Sequence, residues 1–240
     1  MVRKISLGTI WLSFVLYTIQ LAPLDQPYTW EVARKLLTLQ WGDLNAYIPA
    51  IFCLMGVWPM IYASLMFADG QMQTVRAWPS FLASNFTGVI CLTPYLLMRR
   101  RNQDFDGPQT TLIRKLDQRS TGVTLLVVTL ILIAYAVLAG DWGDYVQQFQ
   151  SRHFVHLISL DFLLMCLFFP LTDLLDDDMA RRGIQNPYVY WAVALLPLFG
   201  PLMYLCLRPT LGVGQTREKR DRTLQPQATF SAADNRLGSS

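Results

Sequence analysis

Charge is scarce in this sequence. Charged residues fill 15% of its 240 positions, against roughly a quarter in a soluble domain. The net charge of +3 gives no footprint for nucleic acid. Histidine is scarcer still: only His153 and His156 are present. Two imidazoles three positions apart do not make a closed metal site by themselves, and an interfacial histidine pair is the simpler expectation. Cys53, Cys91, Cys166 and Cys206 each sit inside an apolar run, and no two form a CxxC. That spacing argues against zinc or dithiol chemistry and for small buried hydrophobes. There is no nucleophile–His–Asp set, and GVGQTREK at 212–219 lacks the spacing of a phosphate-binding Walker loop. The sequence leaves any cofactor unknown.

Apolar residues are what the chain has in quantity, 52% of the total. They gather into runs of the length a helix needs to cross a bilayer, about 20 residues. The spacing predicts six spans near 5–21, 47–67, 80–98, 121–139, 154–171 and 188–207. The fold class is therefore all-α, a polytopic integral membrane protein with residues 1–208 as the membrane domain. The first run has a basic start but no small-x-small cleavage site after it, so it reads as a retained span. The polar tail at 209–240, rich in Gly, Ser and Gln, is expected to be disordered. Residues 28–42 alternate apolar and charged side chains, with Trp30 and Trp41 near the ends. They read as an amphipathic helix on the membrane surface.

Landmarks recur in the same order in both halves. A basic start, a span and Trp41-Gly42-Asp43 precede a proline-broken span, Asp69-Gly70, Pro79 and a span ending at Arg99. Basic residues, a span and Trp142-Gly143-Asp144 precede a span ending at Pro170, an acidic stretch, Pro187 and a span ending at Arg208. Three spans per half would make the halves an inverted three-plus-three repeat. Six spans divide the 20 lysines and arginines equally between the two sides, so the positive-inside rule assigns no orientation. Inversion would explain the tie; a missed or spurious span, such as a proline-broken last span that re-enters without crossing, is the rival explanation.

Polar residues in apolar surroundings are the candidate functional groups. Asp161 is the one charge inside an apolar run. A carboxylate there marks an ion or proton path, or a hydrogen-bonded tie to span 80–98 through Asn85. His153 lies eight residues before Asp161 and about 12 Å along a helix, too far to share a metal but within reach of a water relay. Ser84 and Gly88 form a small-xxx-small pair suited to close helix packing.

Asp173, Asp176, Asp177 and Asp178 invite a Mg²⁺-dependent lipid or isoprenoid enzyme. Asp176, Ala180 and Arg181 match part of the CDP-alcohol phosphotransferase pattern, but Asp177 and Tyr190 stand where it needs glycines. The competing reading is structural. Aspartates near the start and Arg181 and Arg182 near the end of a short helix suit its dipole, with Asp177–Arg181 and Asp178–Arg182 as i, i+4 pairs.

DQPYTWEVARKLLTLQW (25–41), LMGVWPMIYASLMFADG (54–70), AWPSFLASN (77–85), LTPYLLMR (92–99), FFPLTDLLDDDMARRG (168–183) and LPLFGPLMYLCLRP (196–209) resemble uncharacterised multi-span membrane proteins of cyanobacteria and plastids. The resemblance implies a thylakoid or plasma membrane of a photosynthetic organism and carries no catalytic residue. The expectation is a non-catalytic partner or assembly protein of a membrane complex, in contact with lipid and with other membrane subunits. A small transporter or proton pathway using Asp161 is the alternative, and the Mg²⁺ enzyme is third.

Overall fold

The computed structural model describes residues 2–211. The expectation for the tail falls almost wholly outside these residues. All regular structure among them is helical. Four helices are long and apolar enough to cross a membrane: α1 (Val2–Leu21), α3 (Tyr47–Gly70), α7 (Arg119–Ala139) and α9 (His153–Leu171). Between them lie α2 (Pro27–Leu37), α4 (Ala77–Thr87), α5 (Val89–Met98), α6 (Thr111–Leu116) and α8 (Trp142–Ser151). The chain closes with α10 (Leu174–Arg181), α11 (Pro187–Leu195) and α12 (Phe199–Leu207).

Contacts at the helix ends fix how these elements run. Lys4 Nζ, at the start of α1, donates to the carbonyls of Leu97 and Arg99 at 2.9 and 2.6 Å. Arg3 pairs with Asp173 and Asp176, just past α9. The far end of α1 is marked by the Leu21 carbonyl, 2.8 Å from Nδ1 of His153 at the start of α9. Tyr47, opening α3, packs on Trp142 of α8 at 5.4 Å between centroids. The bundle thus has an arginine end, which holds Arg3, Arg99, Arg181 and Arg208, and a far end. Helices α1 and α7 run away from the arginine end; α3 and α9 return to it.

The expected single spans over 80–98 and 188–207 are each two short helices folded back on themselves. Gln73, before α4, exchanges two hydrogen bonds of 2.8 Å with the backbone of Arg100, after α5. Were α4 and α5 collinear, these residues would be about 40 Å apart. Likewise Arg182, before α11, donates to the carbonyl of Pro209, after α12. A Cβ on Gly200 of α12 would lie 2.2 Å from the carbonyl oxygen of Val193 in α11. Both hairpins therefore leave from and return to the arginine end. Each turns at a residue with positive φ, Gly88 at 56° and Leu198 at 66°. This geometry contradicts an inverted arrangement of the halves: α1 and α7 open them and point the same way.

The core lies between α3 and α9, where Trp58, Tyr62 and Phe169 pack with centroids 5.6–5.7 Å apart. The opening helix of each half packs on the closing helix of that half, α1 on α5 and α7 on α12. Small residues permit this. Gly8 faces Leu97, and Gly122 meets the backbone of Leu205 and Cys206 so closely that a Cβ would lie 2.7 Å away. The expected helix at 28–42 is α2 followed by a short turn at Trp41–Asp43. It buries Val32 and Leu36 against Ile48, Tyr145, Val155 and Ile158, while Trp30, Leu37 and Leu39 stay exposed. A second such helix, α8, was not foreseen.

Candidate functional site

The densest polar structure is a set of buried carboxylates and guanidiniums at the arginine end. In the first half, Asp69 closes α3 and Arg99 follows α5. Arg99 grips Asp69 through Nε and Nη2 at 2.9 and 2.7 Å, and the Tyr95 hydroxyl donates to the same carboxylate at 3.0 Å. In the second half, Arg208 donates to Asp178 at 3.2 Å and the Tyr204 hydroxyl donates to it at 2.7 Å. The separations in sequence match: tyrosine follows aspartate by 26 residues and arginine follows it by 30 in both halves. Each hairpin is thereby locked to the helix before it by its own carboxylate.

The two clusters are cross-linked by the acidic helix. Asp177 accepts from Arg99 Nη2 at 2.5 Å, and Arg181 reaches back to Asp69 at 2.5 Å. Arg182 holds Asp178 at 2.8 Å and Asp117 at 2.6 Å. Arg208 also donates to the carbonyls of Ser64 and Leu116, each at 3.1 Å. Asp69, Asp177 and Asp178 are fully enclosed. Burial opposes ionisation of Asp178, but the Arg182 and Arg208 guanidiniums outweigh it and hold the carboxyl well below the usual carboxylate range. Burial lowers the pKa of Arg208, with Asp178 countering only in part.

This arrangement settles where each foreseen side chain goes. Asp173 and Asp177, one turn apart, do not converge. Asp173 joins Asp176 on Arg3, at 3.3 and 2.5 Å, beside an open depression of about 630 Å³ that Lys4 and Arg101 also line. Asp178 and Arg182 form the expected i, i+4 pair. Asp177 and Arg181 do not, because each is drawn to the first-half cluster. Among the described residues no group of three or more His, Cys, Asp or Glu side chains is placed to hold a metal.

His153 bonds the Leu21 carbonyl, and His156 bonds the Phe149 carbonyl at 3.0 Å and the Tyr17 hydroxyl at 2.8 Å. The pair stitches α1, α8 and α9 together at the far end.

Asp161 lies near the middle of α9, 4% exposed. It reaches the turn of the first hairpin, where its Oδ1 accepts from the Val89 amide at 2.9 Å. It therefore supplies the cap that starts α5, a backbone donor otherwise left bare. The tie to this segment exists, but not through Asn85. That side chain points outward and donates to the Phe81 carbonyl at 2.7 Å. Ser84 and Gly88 do face inward, and it is the Asp161 carboxyl that exploits the missing Cβ of Gly88.

Sequence reasoning passed over Asp69, Tyr95, Arg99, Asp117, Tyr204 and Arg208 as site residues. The signal was available for the two triads in the shared 26- and 30-residue separations. Comparison with protein-family models, with curated proteins and with solved structures returned no match.

Proposed function

We propose that this is a non-catalytic integral membrane protein that binds and helps assemble another membrane protein, with the outward face of α4 as its contact surface. One observation carries this reading. Asn85 and Thr87 are exposed on α4, within one turn of the hairpin tip that touches the middle of α9, and so at the depth of the hydrocarbon. Among the described residues their side chains bond only back to their own helix, at 2.7 and 2.9 Å. Trp78, Leu82 and Phe86 flank them, Phe86 at 88% exposed. Polar side chains facing lipid at that depth are stabilised by a neighbouring helix that offers hydrogen bonds. The partner is a transmembrane helix bearing a polar side chain.

In this reading the chain crosses the bilayer four times, with α4–α5 and α11–α12 as re-entrant hairpins. Each half has two crossings, so the duplicated halves run parallel. That assignment also breaks the tie in charge. Among the described residues only Arg34, Lys35 and Arg152 lie at the far end, so the arginine end is cytoplasmic. The resemblance noted above points to a photosynthetic membrane. A proton pathway is the second reading, favoured by the one unpaired oxygen of Asp161. The Mg²⁺ enzyme draws less support, because every carboxylate of the acidic cluster already contacts an arginine.

Topology is checked with single cysteines at Gln40, Thr74 and Gln103 in a chain lacking its four native cysteines. Four crossings put Thr74 and Gln103 on one side and Gln40 on the other. Six crossings would pair Gln40 with Gln103 and leave Thr74 opposite, and that result would remove the re-entrant hairpins.

Docking is checked with a photo-crosslinking residue at Leu82 in native membranes. The expected product is a discrete protein adduct that weakens when Asn85→Leu and Thr87→Val are combined, a loss of about 1–2 kcal/mol. Adducts to lipid alone would overturn the docking reading, and adducts only to a second copy would replace the partner with self-association.

A further inference from the structure

Asp161 has half of its hydrogen-bonding capacity unused. Val89 satisfies Oδ1, while Oδ2 is buried without a partner among the described residues. The groups around it offer no compensating charge. From α3 comes Tyr62, whose hydroxyl is committed to the Met165 carbonyl at 3.2 Å. From α9 itself the titratable neighbours are Cys166, one turn on, and the two histidines, both bonded toward the far end. Helix α5 carries no charged residue, and neither does α11. Arg3 and Lys4 of α1, Asp69 of α3 and the charges of α10 are all held at the arginine end. Asp144 of α8 is held at the far end by Asn45 and Gln148. An anion at Asp161 would rest on one amide and the start of one ten-residue helix, in surroundings that penalise an unpaired charge heavily.

We propose that Asp161 is a proton-binding site at the mid-depth of the bilayer, carrying a proton on Oδ2 at neutral pH and releasing it at alkaline pH. The ligand is the proton itself. Binding forms one O–H bond and discharges the carboxylate, and no other bond changes. In the protonated state Oδ1 is the carbonyl oxygen, which is the atom that the Val89 amide addresses. In the ionised state the carboxylate attracts the start of α5 more strongly, so the charge of one side chain is transmitted to the hairpin tip. This assignment is independent of the docking reading and would survive its failure.

Infrared spectra of the full chain in lipid nanodiscs test it. At neutral pH the wild type is expected to show the carbonyl stretch of an un-ionised carboxylic acid, displaced in D₂O, absent in Asp161→Asn, and lost in alkaline buffer. The pH-difference and D₂O spectra of the wild type alone report the same band should the variant fold poorly. Absence of the band at neutral pH would overturn the proposal. So would its persistence in Asp161→Asn, or its survival unchanged at alkaline pH.

Discussion

Asp178→Ala is expected to destabilise the protein by about 3–5 kcal/mol, the cost of leaving buried charge without its partner. Arg182, Arg208 and Tyr204 all converge on this one carboxylate, and it is fully enclosed. Thermal or denaturant unfolding in mild detergent measures the change. Asp176→Ala is the control, because its partner Arg3 is 42% exposed in its side chain. A solvated pair of that kind contributes about 0–1 kcal/mol, and equal losses in the two variants would refute the distinction between the clusters.

The pH dependence of Asp178 follows from the direction of its shift. Its folded pKa is depressed below the unfolded value near 3.9. The stabilisation is therefore complete above the unfolded value and is lost as pH falls from there through the folded value. Wild-type stability should decline in acid below about pH 4, and Asp178→Ala should lack that part of the decline.

Gly88→Ala is the second large effect. The new Cβ would fall 1.7 Å from Oδ2 of Asp161, at a residue whose φ is 56°. Either the carboxyl leaves the Val89 amide or the hairpin tip moves away from α9. Gly183 is the comparison, with Gly88 carrying a larger backbone penalty of its own because its ψ of −130° lies outside the left-handed helical region. The φ of Gly183 is 72°, and a Cβ there meets nothing within 4 Å. Gly183→Ala should cost only the left-handed backbone penalty, about 1–2 kcal/mol. Gly88→Ala should exceed that by at least the lost buried hydrogen bond, about 1–3 kcal/mol more. Equal unfolding midpoints for the two variants would mean that the tip is not packed as described.

Helix positions were legible because apolar runs report burial or lipid directly. Helices begin at Tyr47 and His153 and end at Leu171 and Leu207, at or beside the edges of apolar runs. What hydropathy could not report is a reversal inside an apolar run. Residues 80–98 have the composition of a crossing, yet Gly88 turns them back, and φ at one residue leaves no trace in an average over twenty. The shared order of landmarks was visible in the sequence, but not whether the run 80–98 crosses, which decides how the two halves would be related. The acidic cluster was legible as a short helix with Gly183 near its end. Its pairing was not, since Arg99 lies 78 residues from Asp177 and no local periodicity joins them. Asp161 could be singled out from its surroundings; the amide it caps could not.

The order of the helices along the chain has a consequence for how the protein is made. The first hairpin packs on α1 and α3, and the second on α7 and α9. Each is thus synthesised after the helices it rests on, so a half can be completed as it leaves the ribosome. Some bonds of the first half must wait, those of Arg3, Asp69 and Arg99 with α10 among them, and the Val89 amide is the one at the hairpin tip. Its acceptor is on α9, 72 residues later, so the tip of the first hairpin waits, uncapped, until the second half arrives to finish it.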